Sequence, residues 1–229
     1  LTMLGRISSG LAHELGTPLN VVAGRAKIIE ASGQDPEEIA TGTRIIREQV
    51  DRMSGIIRQL LDFSRRRTGQ RRPENFDRLA ENVLTMLEPT AKKAGVTLDL
   101  IKRGELPAVS VDRFQIEQVL MNMATNAYQA MRECGGRLEL SLEQVDLTEE
   151  AAPAGSAPGA YARIGVRDTG VGMDAATQDR IFEPVFTTKE MGRGTGLGLA
   201  SAYGIVKSHN GFIHVTSEKG LGSTFAVYL

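Results

Sequence analysis

The chain has 229 residues, of which 41% are hydrophobic and 24% charged, and its formal net charge is -1 at pH 7. This length predicts a small module joined to a medium-sized one, with enough apolar material for an aliphatic core. The near-neutral charge excludes a global attraction to nucleic acid or anionic membrane, so partners have to be recognised at local sites. The single cysteine, Cys134, excludes an intrachain disulfide and fits a reducing compartment.

Two amphipathic helices are predicted at the N-terminus. The first runs from Leu4 to Ala31 and ends at Ser32-Gly33. Asp35-Pro36 then supplies an N-cap and a proline at the first position of the second helix. Apolar residues of the second helix recur as a heptad seam, namely Ile39, Ile46, Val50, Met53, Ile57 and Leu60. Because a lone hairpin exposes this seam, we predict pairing with a second copy in a two-fold-symmetric four-helix bundle, with packing on the chain's own second domain as the alternative.

A basic run from Arg65 to Pro73 breaks both the periodicity and the composition. We interpret it as an interdomain linker rather than a nucleic-acid contact, because it contains no aromatic residues. The predicted domains are a helical hairpin at 1–67, a linker at 68–74 and a second domain at 75–229. No apolar run reaches the roughly 20 residues that span a bilayer. Helical patterning already runs by Leu4 without an initiating Met, so we expect a soluble, cytoplasmic piece of a longer protein whose sensor or membrane region lies elsewhere.

The second domain is predicted to mix helices and strands. Helices are expected at about 77–94, at 112–132 behind an Asp112-x-x-Gln115 cap, and at 197–209. Strands are expected at about 96–102, 137–146, 161–168, 212–217 and 223–228, with a flexible insertion at 151–160. Such a mixture, without strict alternation, indicates an α/β sandwich.

Glycine-bearing blocks follow an asparagine-containing helix in this domain. Asn122 and Asn126 lie four residues apart and share a helix face. Asp168 ends an apolar strand directly before Thr-Gly-Val-Gly172, where a carboxylate can accept a hydrogen from an adenine amino group. The next block, Gly194-Thr-Gly-Leu-Gly-Leu199, opens a helix whose free N–H groups suit phosphates, and Gly220-Leu-Gly-Ser-Thr224 follows. Each pattern alone is weak, and no P-loop pattern is present; together they predict a nucleotide site.

A histidine near the N-terminus is a candidate phosphoacceptor. His13 opens the string HELGTPLN, in which Glu14 follows at once and Thr17 lies one turn further along. Neutral imidazole is a nucleophile near pH 7, and a neighbouring carboxylate can hold or accept its proton. Pro18 is expected to bend the helix just beyond His13 and help to expose the ring. A surface histidine beside a chance glutamate is the alternative when the string is taken alone.

These strings, with IFEPVFTTK between the first and second glycine-bearing blocks, resemble the H, N, G1, F, G2 and G3 boxes of the sensor histidine kinases over nearly the whole chain. The resemblance implies a dimeric helical hairpin followed by an ATP-binding sandwich that has a mixed sheet with helices on one face. It also implies transfer of the γ-phosphoryl group of Mg-ATP to His13 and then to an aspartate of a response regulator. A phosphatase activity toward that regulator, supported by Thr17, is implied as well.

The resemblance assigns Mg²⁺ coordination to Asn126 and places Phe182 in a mobile lid. Lys189 and Arg193 are the nearby cations that could meet the triphosphate. The full set expected around the nucleotide is Asn122, Asn126, Asp168, Gly170, Gly172, Phe182, Lys189, Arg193, Gly194, Thr195, Gly196, Leu197, Gly198, Leu199 and Thr224.

The chain departs from the family pattern after the second asparagine. Many members carry a lysine and an aromatic residue where this chain has Gln129 and Ala130. Lys189, Arg193 and Tyr128 are the candidates to replace them. This departure keeps open a nucleotide-binding pseudokinase scaffold. A related ATPase of the gyrase, mismatch-repair or heat-shock type is disfavoured because Asn122 stands where those enzymes usually carry a glutamate.

Overall fold

A computed structural model of the chain describes residues 3–31, 35–64, 70–150, 153, 156–189 and 195–229. The chain divides into two compact units. The first comprises Leu1–Arg66 with Glu183–Leu197, and the second comprises Arg67–Phe182 with Gly198–Leu229. The domain limits predicted from the sequence stay a prediction, and Ser32-Gly33 lies outside the described residues. No helix in the described part of the chain is long and apolar enough to cross a membrane.

The first unit is built on a hairpin of α1 (Met3–Ala31) and α2 (Pro36–Ser64). The predicted cap of α2 is confirmed, since Asp35 Oδ1 accepts the N–H of Glu37 at 3.0 Å. Gly42 of α2 lies against Ile29 of α1, and a Cβ on Gly42 would be only 2.7 Å from Ile29 Cδ1. The absence of a side chain at Gly42 therefore allows the two helices to pack closely at this point. The α1 helix is continuous through Pro18, and the bend expected there stays a prediction.

The α2 helix carries two stripes of partly apolar residues. One contains the buried or half-buried residues Gly42, Ile45, Gln49, Arg52 and Ile56, which recur every three or four positions. Because Gly42 meets Ile29, this stripe faces α1, and we call it the inner stripe. In the predicted seam, by contrast, Val50 is 44% exposed and Ile57 is 45% exposed. The hairpin therefore leaves part of an apolar face uncovered.

The second unit is a sheet covered by helices. The helices are α3 (Phe76–Lys93), α4 (Arg113–Met131), α5 (Ala175–Gln178) and α6 (Gly198–Ser208). The strands are β1 (Arg72–Glu74), β2 (Val96–Arg103), β3 (Val109–Val111), β4 (Gly136–Leu147), β5 (Gly159–Asp168), β6 (Phe212–Glu218) and β7 (Gly222–Tyr228).

Five of these strands form a mixed sheet in the order β2-β4-β5-β7-β6. The β2–β4 pair is parallel and the other pairs are antiparallel. Alternate residues such as Leu140, Val166 and Phe225 are buried and share one row across the sheet. The predicted α/β sandwich is confirmed, and its core lies between this face and the helices.

Two short strands, β1 and β3, pair with each other outside the main sheet and were not predicted. Each has three residues, which is too short for a periodic signal, and β1 falls inside the predicted linker. The predicted cap of α4 is confirmed, since Asp112 Oδ1 accepts the N–H of Gln115 at 3.2 Å. Part of the predicted insertion at 151–160 lies outside the described residues, and β5 already begins at Gly159.

Candidate nucleotide-binding and phosphoacceptor sites

A polar row replaces the apolar rows at one end of the sheet. Asp168 ends β5 opposite Ser223 of β7, which in turn pairs with Ser217 of β6. These residues continue the face that packs against the helices, because Leu138 is their partner on β4. Ser217 Oγ and Ser223 Oγ are 3.0 Å apart, and Ser217 Oγ accepts the N–H of Met173 at 2.8 Å. The sheet thus ends in a set of hydrogen-bonding groups centred on one carboxylate.

Asp168 is buried, with only 2% of the residue exposed. Its carboxylate accepts the backbone N–H of Gly170 at 2.8 Å and also that of Ser223. Burial raises the pKa of Asp168, and the two N–H donors offset only part of this rise. A carboxylate held by two donors still has lone pairs left for a further hydrogen bond from a ligand.

The loop after Asp168 is packed between two other parts of the unit. A Cβ on Gly170 would lie 2.7 Å from the carbonyl oxygen of Ala130 at the end of α4, and Val171 N–H donates to that oxygen at 3.3 Å. On the other side, a Cβ on Gly172 would collide with the carbonyl oxygen of Glu218. Gly172 also has a φ of 62°, which favours glycine. The glycines therefore let the backbone approach α4 and the β6–β7 turn closely.

The β6–β7 turn closes against the same loop. Gly220 N–H donates to Val171 O at 2.8 Å. Gly222 has a φ of 97°, and a Cβ there would collide with the carbonyl oxygen of Asp168. Two of the sequence blocks, separated by about 50 residues, thus form one local structure.

The asparagines of α4 face the start of α6. Asn122 Nδ2 donates to the carbonyl oxygen of Gly198, the first residue of α6, at 3.0 Å. Asn126 lies one turn further along the helix and is half-buried. Among the described residues, no cluster of three or more His, Cys, Asp and Glu side chains could hold a metal ion.

The segment at 183–197 belongs to the first unit and is described at 183–189 and 195–197. Val185 N–H donates to Gly196 O at 3.0 Å, so the two ends of the segment meet. Gly196 has a φ of 63°, and a Cβ there would strike the Val185 backbone. Lys189 is half-buried, and burial lowers the pKa of its ammonium group. Arg193 and Gly194 lie outside the described residues.

The remaining predicted residues are distributed more widely. Phe182 packs on Tyr203 of α6, with ring centroids 5.1 Å apart. Leu197 is buried, whereas Thr195 and Leu199 are half-buried. Tyr128 of α4 is also half-buried. Strand alternation sends Ser223 and Thr224 to opposite faces, so Ser223 rather than Thr224 lies beside Asp168.

The phosphoacceptor string lies within α1. His13 and Glu14 are in the helix, and their side chains are outside the described residues. Thr17 is half-buried and Pro18 is buried. The helix therefore carries the candidate histidine on a regular backbone.

Three contributors to the site were missed by the sequence interpretation, namely Ala130, Ser217 and Ser223. The glycine blocks were visible as a motif, but the carbonyl group of Ala130 has no sequence signature, since every residue carries one. Ser217 gave no signal because a serine in an alternating strand normally faces solvent.

Two family models match the chain. Residues 3–69 match the His Kinase A (phospho-acceptor) domain, and residues 111–229 match the histidine kinase-, DNA gyrase B- and HSP90-like ATPase family. The two matches leave 70–110 between them, which contains β1, α3, β2 and the first two residues of β3.

Similar proteins carry related names. The chain is 36% identical to the sensor kinase CckA of Brucella abortus (strain 2308), over 99% of this chain and 24% of that protein. It is 34% identical to the sensory histidine kinase/phosphatase NtrB of Escherichia coli O157:H7, over 96% of this chain and 60% of that protein. The crystal structure of full-length ShkA in complex with AMPPNP is 25% identical, with a TM-score of 0.67, over 98% of this chain and 45% of that one. The chain thus spans only part of these proteins.

The buried carboxylate, the glycine-lined loops and the helix with a phosphoacceptor string agree with both family matches. The chain belongs to the sensor histidine kinases, with a phospho-acceptor domain followed by an ATPase-family domain.

Proposed function

We propose that this chain binds Mg-ATP in its second unit, transfers the γ-phosphoryl group to His13, and passes it on to an aspartate of a response-regulator receiver domain. The observation that carries the proposal is the buried carboxylate of Asp168, held among loops that glycine allows to pack closely against one another. Family membership and the AMPPNP complex of the similar ShkA support a nucleotide as that ligand.

Adenine recognition is assigned to Asp168 and the loop that follows it. The carboxylate accepts a hydrogen from the exocyclic amino group, while Gly170 and Gly172 allow the loop after it to pack against α4 and the β6–β7 turn. A buried acceptor gives specificity, because a purine without that amino group leaves the carboxylate unpaired. We therefore expect ATP to bind more tightly than GTP.

The phosphates are assigned to the start of α6, at Gly198, with Asn122 fixing the position of that helix end. Asn126 is the proposed protein ligand of Mg²⁺, which takes few protein oxygens and completes its shell with water and phosphate. When bound, Mg²⁺ supplies charge neutralisation on the triphosphate. Lys189 and Arg193 are proposed as further cations of the lid. The ligand assignment would be supported if Asn126→Ala lost the nucleotide binding that requires Mg²⁺ but kept the nucleotide binding measured without Mg²⁺.

At His13, a bond forms between an imidazole nitrogen and the γ-phosphorus while the bridging bond to the β-phosphate oxygen breaks. The other imidazole nitrogen gives its proton to Glu14, and ADP leaves. Positioning and electrostatics supply most of the acceleration in such transfers. The phosphoryl group then moves to a regulator aspartate, and Thr17 supports its later hydrolysis.

The proposed assembly is a homodimer through the hairpin, supported by the exposed apolar residues Val50 and Ile57. The domains are proposed at 1–67 and 75–229 with a linker at 68–74. The phosphoacceptor match and the kinase/phosphatase name of the similar NtrB support a regulator as the partner and a second, dephosphorylating activity. We propose a cytoplasmic location for this part of the protein, because ATP is available there.

Incubation with γ-labelled ATP and Mg²⁺ tests the proposal. We expect acid-labile, alkali-stable label on the wild type and none on His13→Gln, while Asp168→Ala loses nucleotide binding. Free labelled phosphate without protein label would instead indicate an ATPase. Nucleotide binding with neither product would indicate a pseudokinase scaffold, which the Gln129-Ala130 pair keeps as the alternative.

A further inference from the structure

Ser217 of β6 has a hydroxyl group with three polar neighbours. Its Oγ lies 2.8 Å from the backbone nitrogen of Met173, 3.0 Å from the carbonyl oxygen of Gly222 and 3.0 Å from Oγ of Ser223. A serine hydroxyl can accept two hydrogen bonds but has only one proton to donate. The three neighbours therefore use its full capacity, and this fixes the direction of each bond.

Two of the three bonds have only one possible direction. The N–H of Met173 is a donor, so Ser217 accepts there. The carbonyl oxygen of Gly222 is an acceptor, so Ser217 donates its single proton there. Because Ser217 then has no proton for the third bond, the hydroxyl of Ser223 must be the donor in that bond. The proton of the Ser223 hydroxyl thus points toward β6.

This direction matters because Ser223 stands between Ser217 and Asp168 in one row of the sheet. The backbone N–H of Ser223 binds the carboxylate of Asp168. Burial raises the pKa of Asp168, and of the described groups only the N–H groups of Gly170 and Ser223 oppose this rise. The hydroxyl of Ser223 is not one of these groups, in agreement with a proton that points to Ser217.

The charged side chains near this row point away from the carboxylate of Asp168. Those on the strands alternate to the other face of the sheet, namely Arg137, Arg167 and Glu218. Those at the end of α4 and in the neighbouring loops are exposed, namely Arg132, Glu133, Asp174 and Lys219. The hydrogen bonds around Asp168 therefore decide how its carboxylate meets a ligand.

We propose that Ser217 keeps the hydroxyl of Ser223 as an acceptor toward the nucleotide and so sets the preference for a base with an exocyclic amino group. Ser223 then offers only lone pairs, beside a carboxylate that also offers only lone pairs. An amino group can donate to such a pair of acceptors, whereas a base with a carbonyl group at the same position meets no donor there. The inference rests on the proposed function, and it makes Ser217 a positioning residue that acts through Ser223.

Loss of the Ser217 hydroxyl would release the proton of Ser223. The acceptor beside Ser223 on the other side of the row is the carboxylate of Asp168, which the N–H of Ser223 already binds. An O–H bond to this carboxylate would favour its ionised form and occupy a lone pair that the amino group needs. Ser217→Ala should therefore lower the pKa of Asp168 and weaken the selection of adenine.

The test measures the binding of ADP and of inosine diphosphate to the whole chain by isothermal titration calorimetry across pH. Inosine diphosphate carries a carbonyl group in place of the amino group of adenine. In Ser217→Ala, the preference for ADP should fall several-fold, and the acid limb of ADP binding should move to lower pH. Ser217→Thr keeps the hydroxyl and should behave like the wild type. Ser217→Cys, whose thiol is a weak donor and acceptor, serves if the alanine variant does not fold.

Gln178→Ala is the matched control for a general loosening of the loop. Gln178 Nε2 donates to Met173 O at 3.3 Å and to Ser217 O at 3.0 Å, so it joins the same two segments without binding Ser223. This control should weaken the binding of both nucleotides alike and leave the acid limb in place. Ser223→Ala is added to each variant as a second control, because the effect of Ser217→Ala on the preference should vanish without the hydroxyl that it releases.

Four outcomes would overturn the inference while the proposed function stands. They are an unchanged preference and acid limb in Ser217→Ala, an acid limb moved to higher pH, the same loss of preference in Gln178→Ala, and a loss of preference that persists with Ser223→Ala. A folded wild type that binds neither nucleotide would defeat the proposed function and this inference together.

Discussion

The side-chain amide of Asn122 donates to the carbonyl oxygen of Gly198 at 3.0 Å. This contact joins the middle of α4 to the first residue of α6 across 76 positions of sequence. It fixes the end of α6 whose backbone N–H groups are proposed to meet the phosphates.

Asn122→Ala should weaken ADP binding two- to tenfold. The estimate follows from the net contribution of one hydrogen bond, about 0.5–1.5 kcal/mol. Isothermal titration calorimetry is the measurement. Asn82→Ala is a matched control, since Asn82 Nδ2 donates to Glu117 Oε1 at 3.3 Å and joins α3 to α4. Equal effects of the two substitutions would mean that Asn122 acts only through general helix packing.

Nucleotide affinity should fall at acid pH. Burial raises the pKa of Asp168, and adenine binding uses the ionised carboxylate, so protons and nucleotide compete. Affinity should be flat well above the raised pKa and fall up to tenfold per pH unit below it. Fluorescent-nucleotide titrations at several pH values measure this, with Asp168→Asn as the variant whose pH dependence disappears.

The same group makes the nucleotide-free protein less stable as the pH rises. The pKa of Asp168 is higher in the folded protein than in the unfolded chain. Between these two pKa values the folded protein therefore binds more protons than the unfolded chain does. Because of this difference, the free energy of unfolding decreases as the pH rises through that window. The Tm of Asp168→Asn minus that of the wild type should therefore grow through this window. A constant difference would contradict the raised pKa.

Gly222→Ala should destabilise the second unit more than Gly220→Ala. Both glycines have positive φ, 97° and 85°, so each alanine carries a backbone cost of about 1–2 kcal/mol. Only at position 222 does the added Cβ also meet the carbonyl oxygen of Asp168, whereas nothing lies within 4 Å at position 220. Thermal unfolding should give the lower Tm for Gly222→Ala, together with weaker nucleotide binding. Equal Tm values for the two variants would show that the turn can shift to accommodate the Cβ at position 222 without a loss of stability.

Val50→Asp combined with Ile57→Asp should dissociate the proposed dimer. Both side chains are nearly half exposed in one chain, and burying a charge there costs several kcal/mol. Sedimentation velocity should show a monomer. Ala40→Asp with Arg47→Asp, at exposed positions of the same helix, should stay dimeric. A dimer that survives the first pair would place the interface elsewhere.

Thr17→Ala should keep most autophosphorylation and lose phosphatase activity toward the phosphorylated regulator. Thr17 lies one turn beyond His13, where its hydroxyl can orient water toward a phosphoaspartate. Release of phosphate from a purified, phosphorylated receiver domain is the measurement, and Thr43→Ala on α2 is the control. Parallel loss of both activities would instead assign the Thr17 hydroxyl to the helix backbone.

The sequence was sufficient to predict a structural feature wherever the groups that produce it lie close together along the chain. The Asp35 and Asp112 caps are within three residues of the N–H groups that they bind, so their spacing alone predicted both helix starts. The glycine blocks likewise predicted a nucleotide site and carried the resemblance to the family, because each block needs a specific backbone shape at a specific strand or helix end.

Long-range contacts were decided only by the tertiary structure. The carbonyl of Ala130 receives Val171 N–H, and His209 Nε2 accepts the N–H of Asp112 at 3.0 Å across 97 positions. The residue types of Ala130 and His209 predict neither contact. A backbone carbonyl is present at every residue, and a single histidine can have many different roles. The sequence by itself determined the elements and the family, whereas the packing of distant segments decided which groups meet at the carboxylate of Asp168.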